Sequence, residues 1–285
     1  MEDSRVLAAI IAAIVSLITV YWIKPLIDKN FHLFQLKENY KHDQAKKIKE
    51  TIGKYKSQLI NSGELLNNRL KNYAKTHEQN WININGDYSN PHHYIDTTVH
   101  RFLSFFAYIK LIQENLEYLD TTFSESNDLE MIRYFRIFID IMTDVDLFEG
   151  VTYDANYQTD HFFRNPFSQY VRSMIDENKV LNFDQFKKDR DTKHVEIIPI
   201  YRFFDGISPE DGRLRIERIK SFHIILIAFL NSFGYDFQST PYTKIDYLKE
   251  QLGELKFKKG LIEIVNRYKL KTTKSNAETL ITKYT

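Results

Sequence analysis

The chain has 285 residues, with 39 Lys and Arg, 38 Asp and Glu, and no Cys. The absence of Cys excludes a disulfide framework, thiol catalysis and Cys-based zinc sites. Only nine Gly and six Pro interrupt it, while 21 Phe and 18 Tyr supply large core side chains, so the composition favours an all-α fold of long helices.

The first predicted element is an apolar stretch at residues 6–23, VLAAIIAAIVSLITVYWI, which contains no charge, Gly or Pro. As a helix it rises about 27 Å, close to the ~30 Å hydrocarbon core of a bilayer. Tyr21 and Trp22 end it, where aromatic rings favour the headgroup level. We expect a single retained transmembrane helix, with residues 1–29 forming tail and anchor. A cleaved signal peptide would need small residues where Tyr21 and Trp22 stand, and uniform hydrophobicity over eighteen residues argues against a buried core helix.

The distribution of basic residues predicts the orientation of this anchor. Arg5 alone precedes it, whereas several lysines follow: Lys24, Lys29, Lys37 and Lys41. Because positive residues are retained in the cytoplasm, we expect the N-terminus outside and the C-terminal part in the cytoplasm. The Lys-, Asn- and Ile-rich composition suggests a bacterial source, and hence the bacterial inner membrane.

Residues 30–81 are predicted to form a juxtamembrane stalk helix, bent near Ser62 and Gly63. This segment carries ten Lys and Arg against five Asp and Glu, and residues 37–47 are polar on all sides. Apolar residues then recur in steps of three and four: Ile48, Ile52, Tyr55, Leu59, Leu66, Leu70 and Tyr73. The stripe could form a coiled-coil seam, but it is short for one, so we favour packing against the rest of the chain.

Residues 82–285 are predicted to form a cytoplasmic irregular helical bundle. Asn-Gly and Asn-Pro pairs indicate a turn at residues 83–91. Helical spacing predicts helices over these segments: about 92–119, 128–148, 162–175 and 183–188. Because Pro199 breaks regular structure, residues 195–200 are expected to form a short strand or an extended connector.

The clearest helix start is Ser208, followed by Pro209 at the first helical position, and this helix should end at Gly234. Its centre, FHIILIAFL, is apolar on every face and predicts a buried central helix. A second membrane span is the alternative, but the uncharged run is short. A basic helical pair, 246–255 and 259–268, should follow, with a disordered tail after it.

Charge is distributed unevenly along the chain. Residues 82–240 carry sixteen Lys and Arg against twenty-five Asp and Glu, a net charge of −9, while residues 30–81 and 241–285 are each +5. An acidic body is a poor nucleic-acid surface, so no nucleic-acid partner is predicted. The basic stalk could lie on an anionic leaflet or meet the acidic body, and we favour the second arrangement.

The sequence contains no nucleotide-binding, zinc-protease, hydrolase or EF-hand signature, so it predicts no cofactor. The best candidate site is His93, Asp96 and His100, which share one helix face at spacings of three and four. Two imidazoles and a carboxylate could hold a divalent metal or act as an acid and a base. The alternative is a polar first helical turn in which Asp96 interacts with the helix dipole.

Two further clusters are candidates for ion binding. The first is acidic and could bind Mg²⁺ or Ca²⁺, or simply face water: Asp140, Asp144, Asp146, Glu149, Asp154 and Asp160 with His161. The second is Arg213, Arg215 and Arg218, which could bind an anion or pair with nearby acids: Asp205, Glu210, Asp211 and Glu217.

Three hypotheses for function follow. We favour a non-enzymatic, membrane-tethered accessory protein that recruits or senses a cytoplasmic protein partner, as in bacterial defence or stress systems; this rests on architecture alone. A membrane-bound, metal-dependent enzyme is the second. The third is a membrane effector that oligomerises through residues 6–23, where Ala8 and Ala12, and Ala9 and Ala13, form small-xxx-small pairs.

Overall fold

The computed structural model describes residues 2–153, 160–210, 212–270 and 277–284. It is mostly helical, with 77% helix and 2% strand, which confirms the predicted all-α class. The helices are α1 (Glu2–Ile18), α2 (Lys24–Thr76), α3 (His93–Leu116), α4 (Ser126–Thr143), α5 (Arg164–Arg172), α6 (Phe183–Phe204), α7 (Arg215–Phe233), α8 (Tyr242–Leu252), α9 (Lys258–Arg267) and α10 (Ala277–Tyr284). A two-stranded antiparallel hairpin, β1 (Ile175–Asp176) and β2 (Lys179–Val180), lies between α5 and α6.

Helices α1 and α2 form one continuous rod, joined by a π-helical segment at Thr19–Ile23. Pro25 lies two residues after this wider turn. In a regular α-helix its ring would crowd the carbonyl group four residues earlier. Within the described residues, this rod is the one helix long and apolar enough to cross a membrane, and its apolar window is entirely exposed.

The second half of α2 belongs to the hydrophobic core. The predicted apolar stripe from Ile48 to Tyr73 is buried, and α2 packs most extensively on α3. The prediction that this stripe packs intramolecularly is therefore confirmed. Helix α2 runs through Gly63 without interruption, and a Cβ atom there would lie 3.2 Å from the Phe105 ring. Glycine thus lets α2 approach α3 closely.

Helix α7 is the centre of the domain, as its apolar sequence predicts. Every residue from Arg215 to Leu230 is buried. Phenylalanine rings of α3, α4 and α7 pack around it at centroid distances of 5.0–5.9 Å, in tilted and edge-to-face pairs: Phe102, Phe105, Phe106, Phe138 and Phe222. Such pairs contribute beyond the area that they bury.

The extended connector predicted at residues 195–200 is wrong, because α6 continues through Pro199 to Phe204. Asn182 begins this helix with a capping box: its side chain accepts from the Gln185 N–H, and the Gln185 side chain accepts from the Asn182 N–H. The buried side chains beyond Asn182 include Ile197, Ile200, Tyr201, Phe203 and Phe204. Tertiary packing of this face outweighs the helix-breaking tendency of proline.

Two other predictions are also wrong, the start of α7 and the disorder of the C-terminal tail. Helix α7 begins at Arg215 rather than Ser208, since the Ser208 hydroxyl accepts from the Glu210 N–H within a turn and Gly212 has a φ of +68°. The disorder predicted for the last dozen residues does not hold for α10, because four of its side chains are buried: Ala277, Leu280, Ile281 and Tyr284. Residues 271–276 lie outside the described part of the chain.

Candidate functional site

The apolar side chains of the rod remain exposed beyond the predicted anchor. Large apolar residues of α1 and the π-helical segment are all between 45% and 74% exposed. The exposed series continues into α2: Leu26, Ile27, Phe31, Leu33, Phe34, Leu36 and Tyr40. Helix α2 is in contact with the domain at Tyr40, whose ring meets that of Phe123 edge-on. A surface of this size and apolar character is typical of a membrane or protein interface.

The predicted metal-binding residues His93, Asp96 and His100 lie in the first two turns of α3. Asp96 is buried, and its two oxygens accept hydrogen bonds from the Tyr201 hydroxyl at 2.8 Å and the His92 N–H at 3.0 Å. Asp96 thus fastens α3 to α6 and satisfies a free N–H at the start of α3. Within the described residues, no group of three His, Asp or Glu side chains is arranged to hold a metal ion.

The two histidines of this set pack against the start of α6. The His100 ring lies 5.4 Å from the Phe183 ring and 5.3 Å from the Phe186 ring, and His93 contacts Phe183 edge-on. The Nε2 atom of His100 is 3.0 Å from the Leu181 carbonyl oxygen, so Nε2 carries the proton and donates it. Burial lowers the pKa of His100, and the Leu181 bond partly opposes this shift.

The acidic series faces the basic C-terminal part of the chain. Asp140 is buried, and its carboxylate accepts from Arg164 and, at 2.6 Å, from the Tyr268 hydroxyl. Arg267 of α9 bonds Asp144 at 2.5 Å and also reaches Asp146. Asp154, which was grouped with them, lies outside the described residues.

These ion pairs shift the pKa values of the paired groups. Burial alone would raise the pKa of Asp144, but the Asp146 N–H and Arg267 hold it below its ordinary value. The bond to Asp144 raises the pKa of Arg267. Further along, Lys259 pairs with Glu149 at 2.5 Å. Asp140, Asp144, Asp146 and Glu149 therefore join α9 and Tyr268 to α4 and the turn after it.

The predicted anion-binding arginines bond mainly to protein oxygen atoms. Arg213 pairs with the Asp160 carboxylate at 3.0 Å. Arg215 donates to three carbonyl groups at the C-terminal end of α6, those of Arg202, Phe203 and Asp205, at 2.8–3.1 Å. The last carbonyl groups of a helix have no partner within it and carry a partial negative charge, so a buried cation there stabilises the helix end.

Arg218 does the same for α4. Its guanidinium is fully buried, donates to the Ile141 and Asp144 carbonyl groups, and donates from Nε to the Asp160 carbonyl at 2.8 Å. It also lies 4.6 Å above the Phe148 ring, a cation–π contact. Burial lowers its pKa to about 9, although Asp160 and Asp144 oppose the shift.

A third buried cation, Lys220, closes the end of α8. Its ammonium donates to the Leu252 carbonyl at 3.1 Å and the Glu254 carbonyl at 2.7 Å, and pairs with buried Glu217 at 2.5 Å. Glu217 in turn accepts from the Lys256 N–H. The first two turns of α7 thus present three cations to the C-terminal ends of three helices. Lys220 was not among the predicted site residues, although it belongs to a charged cluster directly before the apolar run of α7.

A buried polar network also links α2 to α7. The Nε2 atom of His223 lies 2.9 Å from the Asn67 side-chain oxygen, and Asn67 reaches the Thr240 hydroxyl, which also accepts from Lys71 at 2.9 Å. Burial and the charge of Lys71 lower the pKa of His223 to about 3. Burial likewise lowers the pKa of Lys71 to about 8. The imidazole is therefore neutral at physiological pH.

Comparison with known proteins adds no relative to this description. No protein family, curated protein or solved structure matches the chain.

Proposed function

We propose that this chain is a single-pass protein of the bacterial inner membrane, with its N-terminus outside, whose cytoplasmic helical domain binds a protein partner and does not itself catalyse a reaction. The observation that carries the proposal is the course of the rod, whose apolar side chains are exposed through α1 and early α2 and, apart from Leu65, buried from Ile48 onward. In water, exposed apolar surface costs about 25 cal/mol per Å², so a bilayer is the stabilising environment for the first part.

The charges around the rod support this orientation. Lys24 and Lys29 follow the apolar stretch, where they can reach anionic headgroups. Lys49 bonds Glu125 at 3.0 Å, so the basic stalk makes an ion pair with the acidic body. This pair supports the arrangement in which the lysines far from the anchor interact with the acidic body and not with the lipid.

An exposed aromatic pair supports a partner-binding role. Tyr235 and Phe237 follow α7, stack at 5.5 Å with an interplanar angle of 12°, and are 61% and 78% exposed. Aromatic side chains are enriched among the residues that dominate binding energy at protein interfaces. We propose that this pair contacts the partner.

Topology can be tested with single cysteines, since the chain has none of its own. In intact cells whose outer membrane has been made permeable, a membrane-impermeant maleimide should label Ser4→Cys and not Lys188→Cys, whereas both should react after lysis. Labelling of Lys188→Cys in intact cells would overturn the orientation. Release of the full-length protein by alkaline carbonate would overturn the anchor.

Partner binding can be tested by crosslinking in native membranes. The Tyr235→Ala/Phe237→Ala double variant should lose a crosslinked species that the parent chain forms. The matched control is Tyr118→Ala, which removes an isolated tyrosine that is 89% exposed. Equal crosslinking by all three chains, or equal loss in the control, would contradict the proposed contact.

A further inference from the structure

A groove with an apolar floor and a cationic rim lies between α3, α4 and α5. Its volume is about 240 Å³. Each helix contributes residues from one face, at spacings of three and four. The floor residues are Phe106, Ile109, Ile139, Phe167 and Val171, and the polar lining residues are Lys110, Gln113, Arg136, Arg164 and Ser168.

The charged side chains that line this groove are all cations, although carboxylates just outside it pair with two of them. Three of its ten lining residues are cations and none is an acid, although residues 82–240 carry a net charge of −9. Two of the three cations have protein partners: Lys110 donates to Ser168 at 2.8 Å and pairs with Glu114 at 3.4 Å, and Arg164 pairs with Asp140. Arg136 is exposed and makes no hydrogen bond or ion pair with any part of the chain that the structure describes.

The floor consists of closely packed side chains. The rings of Phe106 and Phe167 meet edge to face at 4.9 Å, and both are buried, as is Val171. A planar guanidinium beside such a surface can bind a carboxylate or phosphate bidentately while the floor accepts an apolar group. The volume is below the ~300–1,000 Å³ typical of sites for drug-sized ligands, so the ligand is small.

From these observations we infer that the groove binds a small organic anion, a carboxylate or phosphate ester with a compact aromatic or branched apolar group. Arg136 binds the anionic head and the Phe106–Phe167 floor holds the apolar group. This site goes beyond the proposed function, since it requires neither the anchor nor a protein partner.

The test is a titration of the full-length protein in non-ionic detergent with three probes: phenyl phosphate, inorganic phosphate and benzyl alcohol. Phenyl phosphate should bind at least about tenfold more tightly than either of the others. Of the three probes, it alone has both an apolar ring for the floor and an anionic group for the rim. Equal affinity for phenyl and inorganic phosphate would overturn the inference. So would the absence of phenyl phosphate binding.

Two arginines of α4 supply a matched pair of variants. Arg136→Gln should weaken phenyl phosphate binding about tenfold, as expected for loss of a charge-assisted bond. Arg133→Gln makes the same charge change on the same helix but removes a donor to the Lys269 carbonyl, outside the groove; its affinity should stay within about twofold. Equal weakening in both variants would show a non-specific charge effect and refute the site.

A measurement on the unmutated protein locates the probe without relying on the variants. Methyl NMR should show that phenyl phosphate shifts the signals of Ile109, Ile139 and Val171. It should leave unchanged that of Leu252, which lies at the end of α8. Binding that leaves the three groove methyl signals unchanged would place the ligand elsewhere and overturn the inference.

Discussion

Acid should destabilise the domain through His223. Burial and Lys71 lower the pKa of this imidazole to about 3 in the folded chain, against 6.5 when unfolded. Between these values the unfolded chain binds one more proton, so stability is greatest above pH 6.5 and falls as pH decreases towards 3. The slope is about 1.4 kcal/mol per pH unit, so this one group removes about 2 kcal/mol between pH 7.5 and 5.0.

The assay is urea unfolding of the full-length chain in non-ionic detergent, followed by circular dichroism at both pH values. His223→Gln is the comparison, since glutamine can still donate to the Asn67 oxygen but does not titrate. The parent chain should lose about 2 kcal/mol more than this variant between the two pH values. The contribution of His100, whose pKa is also lowered by burial, is present in both chains and cancels. Equal losses would refute the burial of a neutral His223.

Four further substitutions test the packing by the same unfolding assay. Gly260→Ala should lower the free energy of unfolding by about 1–3 kcal/mol, because the added Cβ would lie 2.4 Å from the Leu147 carbonyl oxygen. Gly53→Ala, whose Cβ would meet nothing within 4 Å, should raise it by up to about 1 kcal/mol. Similar effects at both positions would contradict this difference. Ile225→Asp should cost more than about 3 kcal/mol because it buries an unpaired carboxylate, and an unchanged midpoint would show that α7 is not central. Arg218→Met should cost about 3 kcal/mol, because it leaves buried carbonyl groups without a hydrogen-bond donor. This figure is a net loss, since removing a buried guanidinium also removes the free-energy cost of burying its charge. A more stable variant would show that this second effect is the larger one.

Local sequence patterns predicted the elements in which one apolar pattern continues along the whole segment. The apolar centre of α7 could only be buried, and the stripe beginning at Ile48 required a partner surface. The continuation of α6 through Pro199 could not be predicted in this way. It depends on packing with α3, which is distant in sequence, and with α5.

The roles of the α7 cations were equally beyond local reasoning. Sequence proximity suggested pairing with neighbouring acids, as Lys220 does with Glu217. The carbonyl groups that Arg218 bonds, however, belong to residues 58 to 77 positions away. A backbone carbonyl carries no sequence signature, so only the folded arrangement of helix ends identifies these partners.

The uninterrupted rod couples the angular position of the domain to the number of residues before it. Each residue inserted into the exposed part of α2 should rotate the domain by about 100° and move it by 1.5 Å along the helix axis. Seven inserted residues complete almost two turns, so they restore the original face about 10 Å further from the bilayer. Binding to a partner that is itself held at the membrane should therefore vary periodically with the number of inserted residues. This periodicity would distinguish recognition of one face of the domain from recognition of its distance from the bilayer alone.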